Sequence, residues 1–153
     1  MSKALQELLQ RHIFAENQRD LAATLETLHR DCVLEDQATG QRWCGHAGAA
    51  DHYTQWWAKF DVAVGQEPGQ VGHWATPSLF IAEVTWSGTH VGDFLGVKAT
   101  GRKFVQPFVV FATIKNGLVA GERLYYDLAS LLAQLGADCL PDLSTLPHRV
   151  SAR

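Results

Sequence analysis

The spacing of the hydrophobic positions changes along this chain, and the change predicts helices in the first part and strands in the second. The first predicted helix has one apolar face that also carries a histidine, and this face consists of Leu5, Leu8, Leu9, His12 and Ile13. Asp20 can cap a second helix, which we expect to end at residues 29–31. A third helix is predicted to open at Gly45, and its aromatic stripe consists of Tyr53, Trp56, Trp57 and Phe60.

Runs of β-branched and aromatic residues predict the strands. Short strands are expected at residues 32–36 and 71–74, and a long strand at residues 79–90. Between the third helix and residue 71 the helical spacing stops, and the glycines and the proline of residues 65–69 predict a loop.

The strongest local signal is a hairpin over residues 102–127. Two apolar runs flank Asn116 and Gly117, and a type I′ turn needs positive φ at both of its central residues. Asp127, at the end of the second arm, can cap a last helix over residues 128–135. An apolar hairpin that carries acids and phenols towards one end suggests the wall of a pocket.

Because the helices and strands are segregated rather than alternating, the sequence predicts an α+β fold. A strongly curved, antiparallel or mixed sheet that wraps around the N-terminal helices would form a cone-shaped barrel with a cavity. We expect a single domain over residues 1–136, which ends at the helix-closing Gly136, and an extended C-terminal tail over residues 137–153.

Composition narrows the class of protein. The chain has 153 residues, of which 46% are hydrophobic and 19% charged, and its net charge is −3, as is typical of one globular domain. No long basic run indicates nucleic-acid binding, and no apolar run is long enough to cross a membrane. The first residues lack the apolar core of a signal peptide, and three cysteines without CxxC spacing predict reduced thiols in a cytoplasmic protein.

Two segments carry a resemblance to a known family. These are GTHVGDFLGVKATGRKF, which begins at Gly88, and IKNGLVAGERLYYDLASLLAQLG, which ends at Gly136. They resemble the SnoaL-like polyketide cyclases, whose fold is of the nuclear-transport-factor-2-like, cystatin-like type. The resemblance implies a helix-lined cone with a curved sheet and a homodimer formed through the open sheet face.

The resemblance also implies a chemistry, but the residues that perform it differ here. Characterised cyclases of this kind close a ring by intramolecular aldol condensation, with an Asp on the last strand and a His on the strand before it. Aligning the hairpins at the Asn-Gly turn places these two positions at Leu124 and Val110. Neither side chain can transfer a proton.

The last strand supplies the main catalytic candidates. Strand alternation puts Glu122, Leu124 and Tyr126 on one side. In an apolar cone, burial would raise the pKa of Glu122 and suit it to act as a general base, while Tyr126 could donate a hydrogen bond to an enolate. The alternative is that Glu122 pairs with a Lys or Arg and that Tyr126 fills the core.

Other residues are weaker candidates. His90, in the glycine-rich loop segment, could be a base or a ligand-binding group, or could brace the loop. Asp36 ends a strand near the expected mouth of the cone, and Gln106 could orient a ligand carbonyl. The expected cavity walls are completed by Tyr53, Trp57, Phe108, Val110 and Leu124.

Three functions remain open from the sequence. The first is a cyclase or isomerase that acts on a hydrophobic carbonyl or polyketide-like compound without a cofactor. The second is a binding protein for a small hydrophobic ligand, and the third is an epoxide or lactone hydrolase, which would need paired carboxylates around an Arg. The chain has no HxH, HExxH, P-loop or GxGxxG motif, so we expect no metal and no nucleotide cofactor.

Overall fold

The structure is a computed structural model that describes residues 3–65 and 71–150. Its helices are α1 (Lys3–Gln18), α2 (Leu21–Glu26), α3 (Gly45–Lys59) and α4 (Leu128–Leu135). Its strands are β1 (Leu28–Asp36), β2 (Gln41–Cys44), β3 (Phe60–Val64), β4 (Val71–Thr76), β5 (Leu79–His90), β6 (Lys103–Lys115) and β7 (Leu118–Tyr126). A 3₁₀ turn follows at Leu143–Thr145. The predicted α+β class is confirmed.

The strands form one mixed sheet in the order β2-β1-β7-β6-β5-β3, and β4 pairs with the first half of β5. The β1 and β7 strands run parallel, and the other neighbours are antiparallel. The sheet curls into a half-barrel around the helices, so side chains from the concave face and from the helices meet inside it. This arrangement confirms the predicted curved sheet.

The predicted hairpin is confirmed in detail. Asn116 and Gly117 have φ values of 53° and 74°, the left-handed conformation that a type I′ turn requires. A register shift between Thr113 and Ile114 moves the pairing by one residue beyond the turn, so that Val110 pairs with Leu124 and Ala112 pairs with Glu122. Val110 and Leu124, which correspond to the His and Asp positions of the cyclases, therefore lie directly opposite each other on β6 and β7.

The N-terminal helices are fixed to the sheet by polar contacts at their ends. The Asn17 side chain, at the end of α1, exchanges two hydrogen bonds of 2.8 Å with the backbone of Val64. Asp20 caps α2 by accepting a hydrogen bond from the backbone N–H of Ala23, as predicted. Because α1 is held against β3, its buried face lies over the concave side of the sheet.

Two element boundaries were predicted wrongly. The second helix ends at Glu26, and residues 29–31 belong to β1 instead, so this strand begins earlier than expected. Phe60 starts strand β3 rather than ending the third helix, and its ring is fully buried. A Cβ atom on Gly88 would lie 2.3 Å from the backbone oxygen of Asp61, so β3 can approach β5 only because residue 88 lacks a side chain. Of the predicted loop, residues 66–70 lie outside the described residues.

The C-terminal tail lies along the edge of β2. The N–H of Arg42 donates to the carbonyl of His148 at 2.8 Å, and the N–H of Val150 donates to the carbonyl of Gly40 at 3.0 Å. The His148 ring also packs against Trp43. The described part of the tail thus extends the sheet edge, while the domain limit at residue 136 stays a prediction.

Candidate functional site

A cavity of about 110 Å³ lies between the helices and the concave face of the sheet. Much of its wall is apolar and comes from β5, β6 and β7, through Phe80, Ala82, Val84, Phe108, Val110 and Leu124. Titratable side chains also line it, and the structure arranges most of them in two groups. One group joins α1, α3 and β7, and the other joins the ends of β1 and β7.

The first group is a largely buried cluster of His12, Glu16, Tyr53 and Glu122, which we call the proton cluster. His12 Nε2 lies 3.3 Å from Oε1 of Glu122 and 3.9 Å from Oε1 of Glu16. The Tyr53 hydroxyl lies 3.4 Å from both His12 Nε2 and Oε2 of Glu122. His12 and Glu16 are one helical turn apart on α1, so the helix presents both to the cavity.

A threonine fixes the orientation of the His12 ring. The hydroxyl of Thr27 donates its only proton to the carbonyl of Thr24. It must therefore accept its second hydrogen bond, of 2.7 Å, from Nδ1–H of His12. With Nδ1 occupied in this way, Nε2 is the ring atom that faces the two carboxylates.

Charge pairing decides the protonation of His12 and Glu122. Burial alone would lower the pKa of His12, but the charges of Glu16 and Glu122 overcome this effect and raise it to about 9. Burial alone would raise the pKa of Glu122, yet His12, together with His52 and Tyr53, holds it below its usual range. At neutral pH the two residues form an ion pair, so the predicted raised pKa of Glu122 is wrong.

Glu16 is the carboxyl group whose pKa matches neutral pH. Burial and the charge of Glu122 raise its pKa to about 7, while His12 and Tyr53 oppose the rise. Burial and the same two carboxylates raise the pKa of Tyr53, so the phenol keeps its proton at neutral pH. The proton cluster therefore combines a carboxyl poised to gain or lose a proton with two hydrogen-bond donors.

The proton cluster also has the spacing of a possible metal site. Ligand atoms of His12, Glu16 and Glu122 lie within 4.8 Å of one another. A divalent cation could bind such a set, although the sequence carries no metal motif. It would have to displace the proton from Nε2 of His12, which at neutral pH already balances the charge of Glu122.

The second group is a pair formed by Asp36 and Tyr126. The Tyr126 hydroxyl donates to Oδ2 of Asp36 at 2.8 Å, while Oδ1 accepts from the backbone N–H groups of Ala38 and Thr39. Burial raises the pKa of Asp36, against the effect of these hydrogen bonds. The proton of Tyr126 is thus already used by a carboxylate.

The structure brings together most of the predicted site residues. The side chains that line the cavity as predicted are Asp36, Tyr53, Phe108, Val110, Glu122, Leu124 and Tyr126. Trp57 was expected there but stacks on Tyr53 at 5.6 Å between ring centroids, and Trp56 lines the cavity instead. Trp56 and Trp57 are consecutive residues and point in different directions around the helix. Both belong to the apolar stripe, so the stripe alone does not show which of them faces the cavity.

Two further predicted site residues lie away from the cavity. His90 is fully buried against Phe60, and its Nδ1 lies 3.0 Å from the hydroxyl of Thr100, which matches the loop-bracing alternative. Gln106 is buried and donates to the carbonyl of Pro107 at 3.0 Å. Neither is among the residues that line the cavity.

Sequence reasoning missed His12 and Glu16 as functional residues. The available signal was a histidine on the apolar face of a helix, with a glutamate four positions later on the same face. The hydrolase hypothesis required an Arg beside paired carboxylates. The nearest candidate, Arg123, instead lies over the ring of Phe111, 5.0 Å from its centroid and on the other face of β7.

The fold and the cavity define a class of protein, a nuclear-transport-factor-2-like domain whose curled sheet encloses a cavity. The profile of the SnoaL-like polyketide cyclases matches residues 4–135. The chain belongs to this family. No curated protein matches it.

Solved structures share the fold at low sequence identity. A candidate polyketide cyclase from Xanthomonas campestris pv. campestris has 22% identity and a TM-score of 0.77, over 87% of this chain and 97% of that one. A second, from Pseudomonas putida KT2440, has 26% identity and a TM-score of 0.75, over 85% and 96%. A protein of ketosteroid isomerase-like fold from Catenulispora acidiphila, in complex with trimethylamine, has 19% identity and a TM-score of 0.71, over 88% and 94%.

Proposed function

We propose that this chain is a cofactor-independent enzyme that moves a proton next to the carbonyl group of a small hydrophobic compound. The observation that carries the proposal is the proton cluster, a buried set of ionisable groups that opens into a largely apolar cavity. A buried ion pair is costly unless it is well compensated, so its placement at a cavity supports a functional role.

The roles follow from the chemistry of each group. Glu16, with a pKa near 7, removes a proton from the carbon next to the carbonyl. The hydrogen bond that Tyr53 donates to Oε2 of Glu122 is long, at 3.4 Å, so the hydroxyl turns its proton to the oxygen as negative charge develops there, and the imidazolium of His12 stabilises the same charge. Glu122, together with Glu16, keeps His12 protonated, so Glu122 acts on the substrate through His12.

Two outcomes are possible for the resulting enolate. If Glu16 returns the proton to a different carbon, the reaction is an isomerisation. If the enolate carbon attacks a second carbonyl of the same molecule, a new C–C bond forms and the ring closes. The resulting alkoxide then takes up a proton, so a cyclase and an isomerase share the same first step.

The size of the cavity favours a small substrate. Its volume of about 110 Å³ is below the ~150 Å³ of an engineered cavity that holds benzene. A polyketide with several fused rings is therefore too large for the cavity in this conformation.

Solvent deuterium exchange tests the proposal. We would screen small ketones, lactones and aromatic polyketide-like compounds by thermal shift, because a ligand of the folded state raises its stability. Compounds that bind would then be incubated with the protein in D₂O, and NMR would follow loss of the hydrogens next to the carbonyl. Wild type should exchange them, whereas Glu16→Gln and Glu122→Gln should not.

A matched control is Glu35→Gln, which removes a carboxylate that pairs with Arg42 and does not line the cavity. This variant should exchange deuterium like wild type. If ligands bind wild type but no exchange occurs, the proposal fails and the binding-protein alternative takes its place.

We further propose that the protein is a cytoplasmic homodimer. The exposed cysteines Cys44 and Cys139 are free thiols, which supports a reducing compartment. Val105 and Tyr125 are exposed hydrophobic residues of neighbouring strands on the sheet face opposite the cavity, which supports pairing through that face. Among the described residues, no helix is long and apolar enough to span a membrane.

A further inference from the structure

The Asp36–Tyr126 pair lies in the same cavity as the proton cluster but at a different place along β7. Glu122, Leu124 and Tyr126 alternate onto the cavity face of this strand. At about 3.4 Å per residue, the Cα atoms of Glu122 and Tyr126 are about 14 Å apart. The apolar side chain of Leu124 lies between them, so the cavity has two polar groups separated by an apolar section.

The hydrogen bonds of this pair leave acceptors and no donor. Tyr126 gives its only proton to Oδ2 of Asp36, so its oxygen can only accept further bonds. Among the described residues, Oδ2 accepts this one hydrogen bond and keeps a second lone pair, while the backbone of Ala38 and Thr39 satisfies Oδ1. A ligand oxygen without a proton would meet lone pairs here and would be disfavoured.

The sequence suggested that Tyr126 donates a hydrogen bond to an oxyanion, but the geometry supports a different partner. The Tyr126 hydroxyl is directed at a carboxylate, and both residues are largely buried. A buried carboxylate with a free lone pair gains most from a ligand group that donates a hydrogen bond, such as a hydroxyl, a phenol or an N–H.

We propose that the Asp36–Tyr126 pair is a specificity site for a hydrogen-bond donor, and that the substrate is a small apolar carbonyl compound with a hydroxyl or N–H group remote from its reacting carbon. The assignment of the reacting end rests on the proposed function. The recognition of the donor depends only on the geometry of Asp36 and Tyr126.

Three ring compounds of similar shape test this site. These are 4-hydroxyacetophenone, which carries a donor, 4-methoxyacetophenone, which carries only an acceptor, and acetophenone, which carries neither. Calorimetric titration at a pH at which the phenol is protonated should show that wild type binds the hydroxy compound about tenfold more tightly than the other two.

Two substitutions change the site without removing its shape. Asp36→Asn retains an oxygen for the two backbone N–H groups, and its amide N–H₂ then donates to the Tyr126 oxygen. That change frees the Tyr126 proton for the ligand, so the preference for the hydroxy compound should disappear. Tyr126→Phe leaves the carboxylate free to accept, so the preference should persist.

Glu122→Gln separates this proposal from the proposed function. It should abolish deuterium exchange but keep the tenfold preference, since Glu122 lies in the other group. Absence of exchange in wild type, with the preference intact, would overturn the proposed function alone. Equal affinity of wild type for the three compounds, including no measurable binding of any, would overturn the specificity site. Loss of the preference in Glu122→Gln, together with its persistence in Asp36→Asn, would also overturn the specificity site.

Discussion

His12 Nε2 and Glu122 Oε1 are 3.3 Å apart, although one residue lies on the first helix and the other on the last strand. This contact forms only when α1 packs over the concave face of the sheet. It converts a histidine that burial alone would leave neutral into a charged partner for two carboxylates. The central electrostatic feature of the site is therefore a product of tertiary packing.

Removing the charge of Glu122 should affect both chemistry and His12. In Glu122→Gln we expect deuterium exchange to fall by at least about a hundredfold, because His12 loses one of the two carboxylates that keep it protonated. The pKa of His12, followed by NMR of the imidazole, should fall below its wild-type value of about 9. The same pKa in the variant and in wild type would show that the ion pair does not control His12.

Stability should decrease as the pH rises from neutral to alkaline. The His12 pKa is about 9 in the folded protein against 6.5 for the free side chain, so the folded state binds more protons between these values. Glu16, with a pKa of about 7 against 4.5, contributes in the same direction at lower pH. The stabilisation by His12 is complete below pH 6.5 and is lost as the pH rises through 9.

The size of this effect should be on the order of 3 kcal/mol for His12, from the difference between its pKa of about 9 in the folded protein and 6.5 for the free side chain. Chemical denaturation at a series of pH values would measure it. A variant with His12→Gln should show a flatter profile between pH 6.5 and 9. A wild-type stability that rises over this range would contradict the assigned protonation states.

Thr27 is predicted to be a positioning residue that acts through His12. Thr27→Val should lower the exchange rate roughly ten- to a hundredfold, because the ring loses the contact that orients Nε2. It should also destabilise the fold by about 1–3 kcal/mol, since Nδ1–H is left buried without a partner. Thr27→Ser keeps the hydroxyl and should restore both the rate and the pH profile. Failure of Ser to restore the profile would indicate that Thr27 has only a packing role.

The proposed homodimer can be tested by one substitution on the sheet face. Tyr125 is 41% exposed and packs against Phe111 on the side away from the cavity. Tyr125→Glu would bury a charge in a sheet-face interface, so we expect wild type to be a dimer and the variant a monomer by light scattering at micromolar concentration. A monomeric wild type would refute the dimer.

Local signals in the sequence were enough to predict most of the fold. The Asn116-Gly117 turn sets the hairpin because few other residue pairs adopt positive φ at both positions without strain. The caps at Asp20 and Asp127 were predicted correctly because their hydrogen bonds reach only three residues along the chain. The strand β3 was missed because it is held by pairing with β5, a contact that no local pattern encodes.

The sequence by itself determined the α+β architecture, the hairpin turn and the presence of Glu122 and Tyr126 on one strand face, because these depend on turn chemistry and alternation. Only the tertiary structure decided which groups interact. Packing of α1 brings His12 and Glu16 to Glu122, and the parallel pairing of β1 with β7 brings Asp36 to Tyr126. Protonation in an apolar cavity depends on such neighbours and on burial, and both are set by contacts between distant parts of the chain.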